Sequence, residues 1–177
     1  HPGREDEAVP VVAYTNCDSV QLVLNDRPLG TQVYMGEQLL WHVPYEPGVL
    51  KARAYRSGKV VATKSVKTAG QAETVQLKAD RIQLPSGERR VVHFEINIVD
   101  QEGVMVPDAD NEVTFSVEGP GRILGTDNGD PLDLSKYRTN RRKAFHGKCL
   151  LMVETEGTSG EIIVSAGSKG LTSSTKT

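Results

Sequence analysis

Cysteine is scarce. The 177-residue chain has two, Cys17 and Cys149, far apart and each within a strand-like segment. Neither has histidines nearby at ligand spacing, which excludes both a zinc knuckle and a disulfide framework. Both read as small packing residues, and the redox compartment stays open. An excess of one charge is also missing: 21 Lys and Arg against 23 Asp and Glu leave a net −2, so no whole-chain positive field draws nucleic acid or anionic lipid. No apolar run approaches the roughly 18 residues of a membrane-spanning helix. Neither nucleic acid nor a membrane is therefore expected as a partner. The opening HPGREDE has neither an initiator Met nor an apolar signal core and reads as the interior of a longer chain. Residues 1–8 are expected to be a disordered or linker segment.

Helical periodicity is the other absence. What the chain has instead is alternation with a period of two. SVQLVLN puts Val20, Leu22 and Leu24 on one face, and VVHFEINIVD puts Val92, Phe94, Ile96 and Ile98 opposite His93, Glu95 and Asn97. EVTFSVEG repeats the pattern with Val113, Phe115 and Val117, and EIIVSAG with Ile162, Val164 and Ala166. Turn signals separate these runs, among them Asn25-Asp26, Pro47-Gly48, Ser57-Gly58, Glu102-Gly103 and Pro120-Gly121. Short strands with turns every ten or so residues predict an all-β chain of antiparallel, immunoglobulin-like sandwiches.

One such sandwich takes about 100 residues, so there is room for two. The best seam is KTAGQAETVQLKAD, where a strand ends at Thr68 and a small, polar stretch from Ala69 to Ala72 follows. The expected boundary lies near Lys78, giving domains 9–78 and 79–177. A seam this short predicts domains packed against each other.

The first half carries VVAYTNCDSVQLVLNDRPLGTQ and LLWHVPYEPGVLKARAYRSGKVVATKSVKTAG. It resembles the immunoglobulin-like domain that follows the catalytic barrel in bacterial glycoside hydrolases of family 2, the β-galactosidase group. The second half, with VPDADNEVTFSVEGPGRILGTDNGDP and RKAFHGKCLLMVETEGTSGEIIVSAGSKGL, is similar to a further C-terminal sandwich of those enzymes. Two patterns in the family's order cover most of residues 9–171. The sequence departs from the family at Asp26, where an Asn-Gly turn is usual, and at Cys17, where a small residue such as Ala is usual. Asp tolerates the left-handed conformation as well, so the turn is expected to survive. The resemblance implies that the catalytic glutamates sit on a (β/α)8 barrel of about 250 residues, which this chain lacks. A retaining glycosidase needs two carboxyl groups about 5 to 5.5 Å apart, and no feature of this sequence pairs two. No catalytic residue is carried over. The partner implied is the catalytic barrel of the same polypeptide, with oligosaccharide as a second candidate.

GRILGTDNGDP, from Gly121 to Pro131, is the densest glycine and Asx stretch. It lacks the Gly-Lys-Ser/Thr of a phosphate loop and the Gly-x-Gly-x-x-Gly of a dinucleotide site, and no cofactor is expected. Asp108, Asp110, Asp127, Asn128 and Asp130 are hard oxygen donors, yet their spacing lacks the regular ligands and bidentate Glu of an EF-hand, so no metal is expected. The stretch reads as an irregular loop from Gly121 to about Arg142, with Asp127, Asn128 and Asp130 as candidates for docking near the parent's substrate entrance. Trp41 and Tyr45 are candidates for carbohydrate contact, against the general tendency of Trp to pack inside sandwiches. His42 alternates away from Trp41. RTNRRK, from Arg138 to Lys143, lacks interleaved aromatics and reads as a solvated loop.

Three functions follow from different classes. The chain is a non-catalytic accessory region supporting the barrel of a family 2 glycoside hydrolase, or an autonomous carbohydrate-binding module with Trp41 or Tyr45 exposed, or an immunoglobulin-like spacer of a bacterial surface protein.

Overall fold

The alternating runs form strands throughout, because each can bury one face and leave the other wet. The structure, a computed structural model, describes residues 7–177 and contains no helix among them. It divides into two units, residues 1–68 and 69–177.

The first unit holds β1 (Ala8–Ala13), β2 (Ser19–Leu24), β3 (Arg27–Val33), β4 (Leu39–Pro44), β5 (Val49–Arg56) and β6 (Lys59–Lys67). β1 pairs antiparallel with β4, and a second sheet runs β3-β2-β5-β6. Val20, Leu22 and Leu24 point inward as their alternation requires and meet Leu39, Trp41 and Val43 of β4 in one core. The hairpin from β2 to β3 turns through Asn25 and Asp26, with φ of 48° and 63°. Positive φ at both central residues is the type I′ geometry whose twist suits a two-residue hairpin, so Asp26 does what the family's glycine would. The Asn25 amide then reaches across the sheet, donating to Pro47 O at 3.0 Å and accepting from the Val49 N–H at 2.9 Å. Gly48, with φ of 140°, leaves room for it: a Cβ there would sit 1.8 Å from Asn25 Oδ1. β6 closes the sheet as an outer strand, exposed at every residue and carrying Lys59, Lys64 and Lys67.

The second unit holds β7 (Thr74–Ala79), β8 (Val91–Val99), β9 (Glu112–Glu118), β10 (Gly121–Asp127), β11 (Arg141–Lys143), β12 (Lys148–Thr155), β13 (Ile163–Ser168) and β14 (Ser174–Lys176). Two four-stranded sheets, β10-β12-β8-β7 and β11-β9-β13-β14, enclose a single core. Val92, Phe94, Ile96 and Ile98 face Val113, Phe115, Val164 and Ala166 within it. Cys149 packs in the same core, where burial pushes its thiol up to about 12; Cys17 is buried in the first unit.

Three expectations are corrected. The division falls between Thr68 and Ala69 rather than near Lys78, because β7 pairs with β8 along Thr74–Ala79 and so belongs to the second unit. Gly121–Asp127 is not loop but β10, paired with β12 through a register shift between Ile123 and Gly125. Of the linker expected at 1–8, residues 1–6 lie outside the described residues, and Ala8 already opens β1.

Candidate functional site

The polar stretch beginning at Asp127 is organised around a buried arginine. β11 pairs with β9, Arg142 against Val113, and this places the Arg142 side chain inward. It is 2% exposed. A guanidinium taken out of water must have its donors met, and four oxygens meet them. Nε donates to Thr126 Oγ1 at 3.2 Å, Nη2 to Thr126 O at 2.9 Å and to Lys136 O at 2.8 Å, and Nη1 to Asp133 Oδ2 at 2.8 Å. The guanidinium carbon also lies 5.7 Å from the centre of the Tyr137 ring. One side chain thereby ties the end of β10 to the middle and the return of the loop. The solvated-loop reading of RTNRRK fails at this residue, though Arg138 and Arg141 are exposed as expected.

The acidic and amide side chains shape the loop from within. Asp127 Oδ1 accepts the backbone N–H groups of Asn128 and Gly129, at 2.7 and 3.2 Å. Asn128 Oδ1 accepts the Asp130 N–H at 3.0 Å, while its amide nitrogen donates to Asp133 Oδ2 and to Lys143 O. Asp130 Oδ1 accepts the Leu132 N–H at 2.9 Å. These are local Asx turns of the kind that stand in for secondary structure. Gly129 supplies a φ of 74° among them. Asp133 accepts the Ser135 hydroxyl and backbone N–H on one oxygen and Arg142 on the other. The Ser135 hydroxyl and N–H, then Arg142, hold its carboxyl well below the usual carboxylate range. The loop's return is sealed where the Thr126 N–H donates to Tyr137 O at 2.8 Å. Tyr137 O runs alongside β10, where a Cβ on Gly125 would meet it at ordinary contact distance, 3.4 Å. Among the described residues no three or more His, Cys, Asp or Glu are arranged to hold a metal ion. Asp110 is instead paired with Lys143 at 2.6 Å.

What the braced loop turns outward is apolar. Leu132 is 84% exposed, Leu134 96% and Tyr137 62%. Sequence reading passed over these three because a single exposed leucine carries no signal; their exposure shows only in the folded chain.

The aromatic pair of the first unit divides. Trp41 is 7% exposed within the core, so its ring is not available to stack on a sugar, and His42 is exposed on the opposite face. Tyr45 is half-buried, with its backbone N–H donating to Glu7 O. A separate open cavity of about 560 Å³ lies in the second unit, with Leu84, Phe94 and Val153 among its apolar lining and Arg81, Glu88 and Glu161 among its polar lining.

Among the described residues every carboxylate with a clearly displaced ionisation is displaced downward: Asp80, Glu95, Asp110 and Asp133. At Glu95 the Lys148 ammonium, 2.9 Å away, is the main cause. Other surface glutamates hold their own cations, as Glu154 does Arg122 and Glu46 does Arg27.

Residues 75–177 match the family model described as glycoside hydrolase family 2 C-terminal domain 5, and residues 6–62 match that of a domain of unknown function. A β-galactosidase of Bacteroides ovatus is 38% identical over 89% of this chain and 19% of its own length. Among solved structures, a β-glycosidase from Bacteroides vulgatus superposes with a TM-score of 0.96 at 39% identity, over 99% of this chain and 23% of that one. A glycosyl hydrolase family 2 member from Bacteroides cellulosilyticus gives 0.93 at 35% identity, over 99% of this chain and 25% of that one. The chain thus spans a quarter or less of the length of these relatives.

Proposed function

Because the chain belongs to glycoside hydrolase family 2, we propose that it is the C-terminal, non-catalytic accessory region of a β-galactosidase-like enzyme, supporting that enzyme's catalytic barrel and shaping access to it. Coverage carries this reading: nearly the whole chain aligns, yet with only about a fifth of a protein named as a β-galactosidase. The partner is the barrel of the same polypeptide, and cleavage of the glycosidic bond belongs to glutamates there.

The chemistry of this piece supports that division of labour. A glycosidase acid must hold its proton near neutral pH, which takes a carboxyl group whose pKa is raised by an apolar or anionic setting. Here the displaced carboxylates all move the other way, toward firmer ionisation by neighbouring donors. The barrel itself takes about 250 residues of alternating strand and helix, whereas these 177 residues are strand and turn among those described.

Purified chain and full-length parent should be assayed side by side on aryl β-galactosides and related glycosides. Turnover is expected from the parent alone. Turnover from the 177-residue chain that survives purification and is abolished by substituting one of its own glutamates would overturn the proposal.

A further inference from the structure

We propose that Pro131–Tyr137 is a preformed docking element, whose Leu132, Leu134 and Tyr137 side chains seat in an apolar surface edged with carboxylates on another domain of the same polypeptide. The inference rests on the family 2 reading for the existence of that domain. Its physical basis is the contrast between the inside and the outside of the loop.

The second unit has four strongly exposed large apolar side chains among the described residues, Ile82, Leu132, Leu134 and Tyr137, and three of them fall in this short segment. Arg142, Asp133 and the Asx turns hold the backbone of the loop from beneath, in a conformation that leaves these side chains exposed. The conformational entropy of ordering the loop is thus spent before any partner arrives, which removes one of the costs of seating a loop in an interface.

Charge specifies the rim of the partner. Within the segment Asp133 is neutralised by Arg142; just before it Asp127 and Asp130 each turn a carboxylate oxygen onto backbone N–H groups, and Lys143 pairs with Asp110. Lys136 and Arg138 flank the apolar side chains, are exposed, and have no ion-pair partner among the described residues. A complementary surface therefore sets carboxylates around an apolar centre. Size specifies the connection. Three side chains fall short of the roughly 800 Å² per partner that a standard interface between separate molecules buries. They suffice for a surface already tethered in the same chain, where the effective concentration is of millimolar order for a short linker. The relatives carry three quarters or more of their length beyond the part this chain matches.

Amide hydrogen exchange in the full-length parent tests this. Exchange across 131–137 is expected to accelerate about ten-fold in a Leu132→Ser/Leu134→Ser variant, the factor that corresponds to 1.4 kcal/mol of lost docking. It should accelerate in the same direction in a Lys136→Glu/Arg138→Glu variant, while β8 and β12 keep their protection. Unchanged exchange in both variants would overturn the proposal. So would fast hydroxyl-radical oxidation of Leu134 and Tyr137 in the wild-type parent. Protection that disappears on dilution would make the occupant a second copy and overturn the same-chain assignment. Glycosidase turnover is read on the same samples: turnover with an unprotected loop sinks the docking element alone, and a protected loop without turnover sinks the family activity alone.

Discussion

Arg142 shows how one residue can decide the shape of a loop. Its guanidinium serves Thr126, Asp133 and Lys136 together through a planar fork, which a lysine ammonium cannot reproduce. Arg142→Lys should strand the carbonyl of Thr126, a fully buried residue, at a cost of about 1 to 3 kcal/mol. The melting temperature of the chain should fall by roughly 5 °C or more, and an unchanged value would show that the brace is dispensable. The paired carboxylate makes a separate prediction. Asp133 has a depressed folded-state pKa, so its stabilisation is complete above the unfolded value of about 3.9 and is lost as pH falls through the lower folded value. Asp133→Asn should be less stable than wild type at neutral pH, and the difference should shrink on acidification below about pH 4. Melting temperature against pH checks this; parallel acid limbs would contradict it. None of this was legible in RTNRRK. β11 is too short for alternation to show which side chain points inward, and the acceptors that bury Arg142 lie up to 16 residues earlier. Trp41 was legible, because β4 alternates over its full length.

At the scale of elements, period-two patterning located strands well and their partners poorly. β8 is the clearest case: Phe94, Ile96 and Ile98 read inward from the sequence and are buried. Phe94→Ala should accordingly cost about 3 to 5 kcal/mol, measured by denaturant unfolding, and no change would place the ring outside the core. In β7, Val75 and Leu77 alternate with polar residues and are buried. What alternation cannot encode is which sheet a strand joins, and the β7–β8 pairing moved the domain division back to Thr68. β10 was missed for a different reason. Its glycines read as turn punctuation, yet Gly121 and Gly125 lie within a strand that pairs with β12 across a register shift.

At the scale of the molecule, two cores of unequal size are each closed by their own sheets, and the first unit leaves one long strand uncovered. β6 ends its sheet with every residue exposed, including Val60, Val61 and Val66. Such a border is a template for unwanted growth, since a strand from any other chain can extend the hydrogen-bond ladder. Lys59 and Lys64 act as gatekeepers, because joining two copies along this border would bring like charges together. Solubility is therefore written into the same strand that endangers it. Lys64→Val would give VVATVSV, a continuous uncharged β-former. The substitution should leave the melting temperature almost unmoved, yet raise light scattering and thioflavin fluorescence on prolonged incubation.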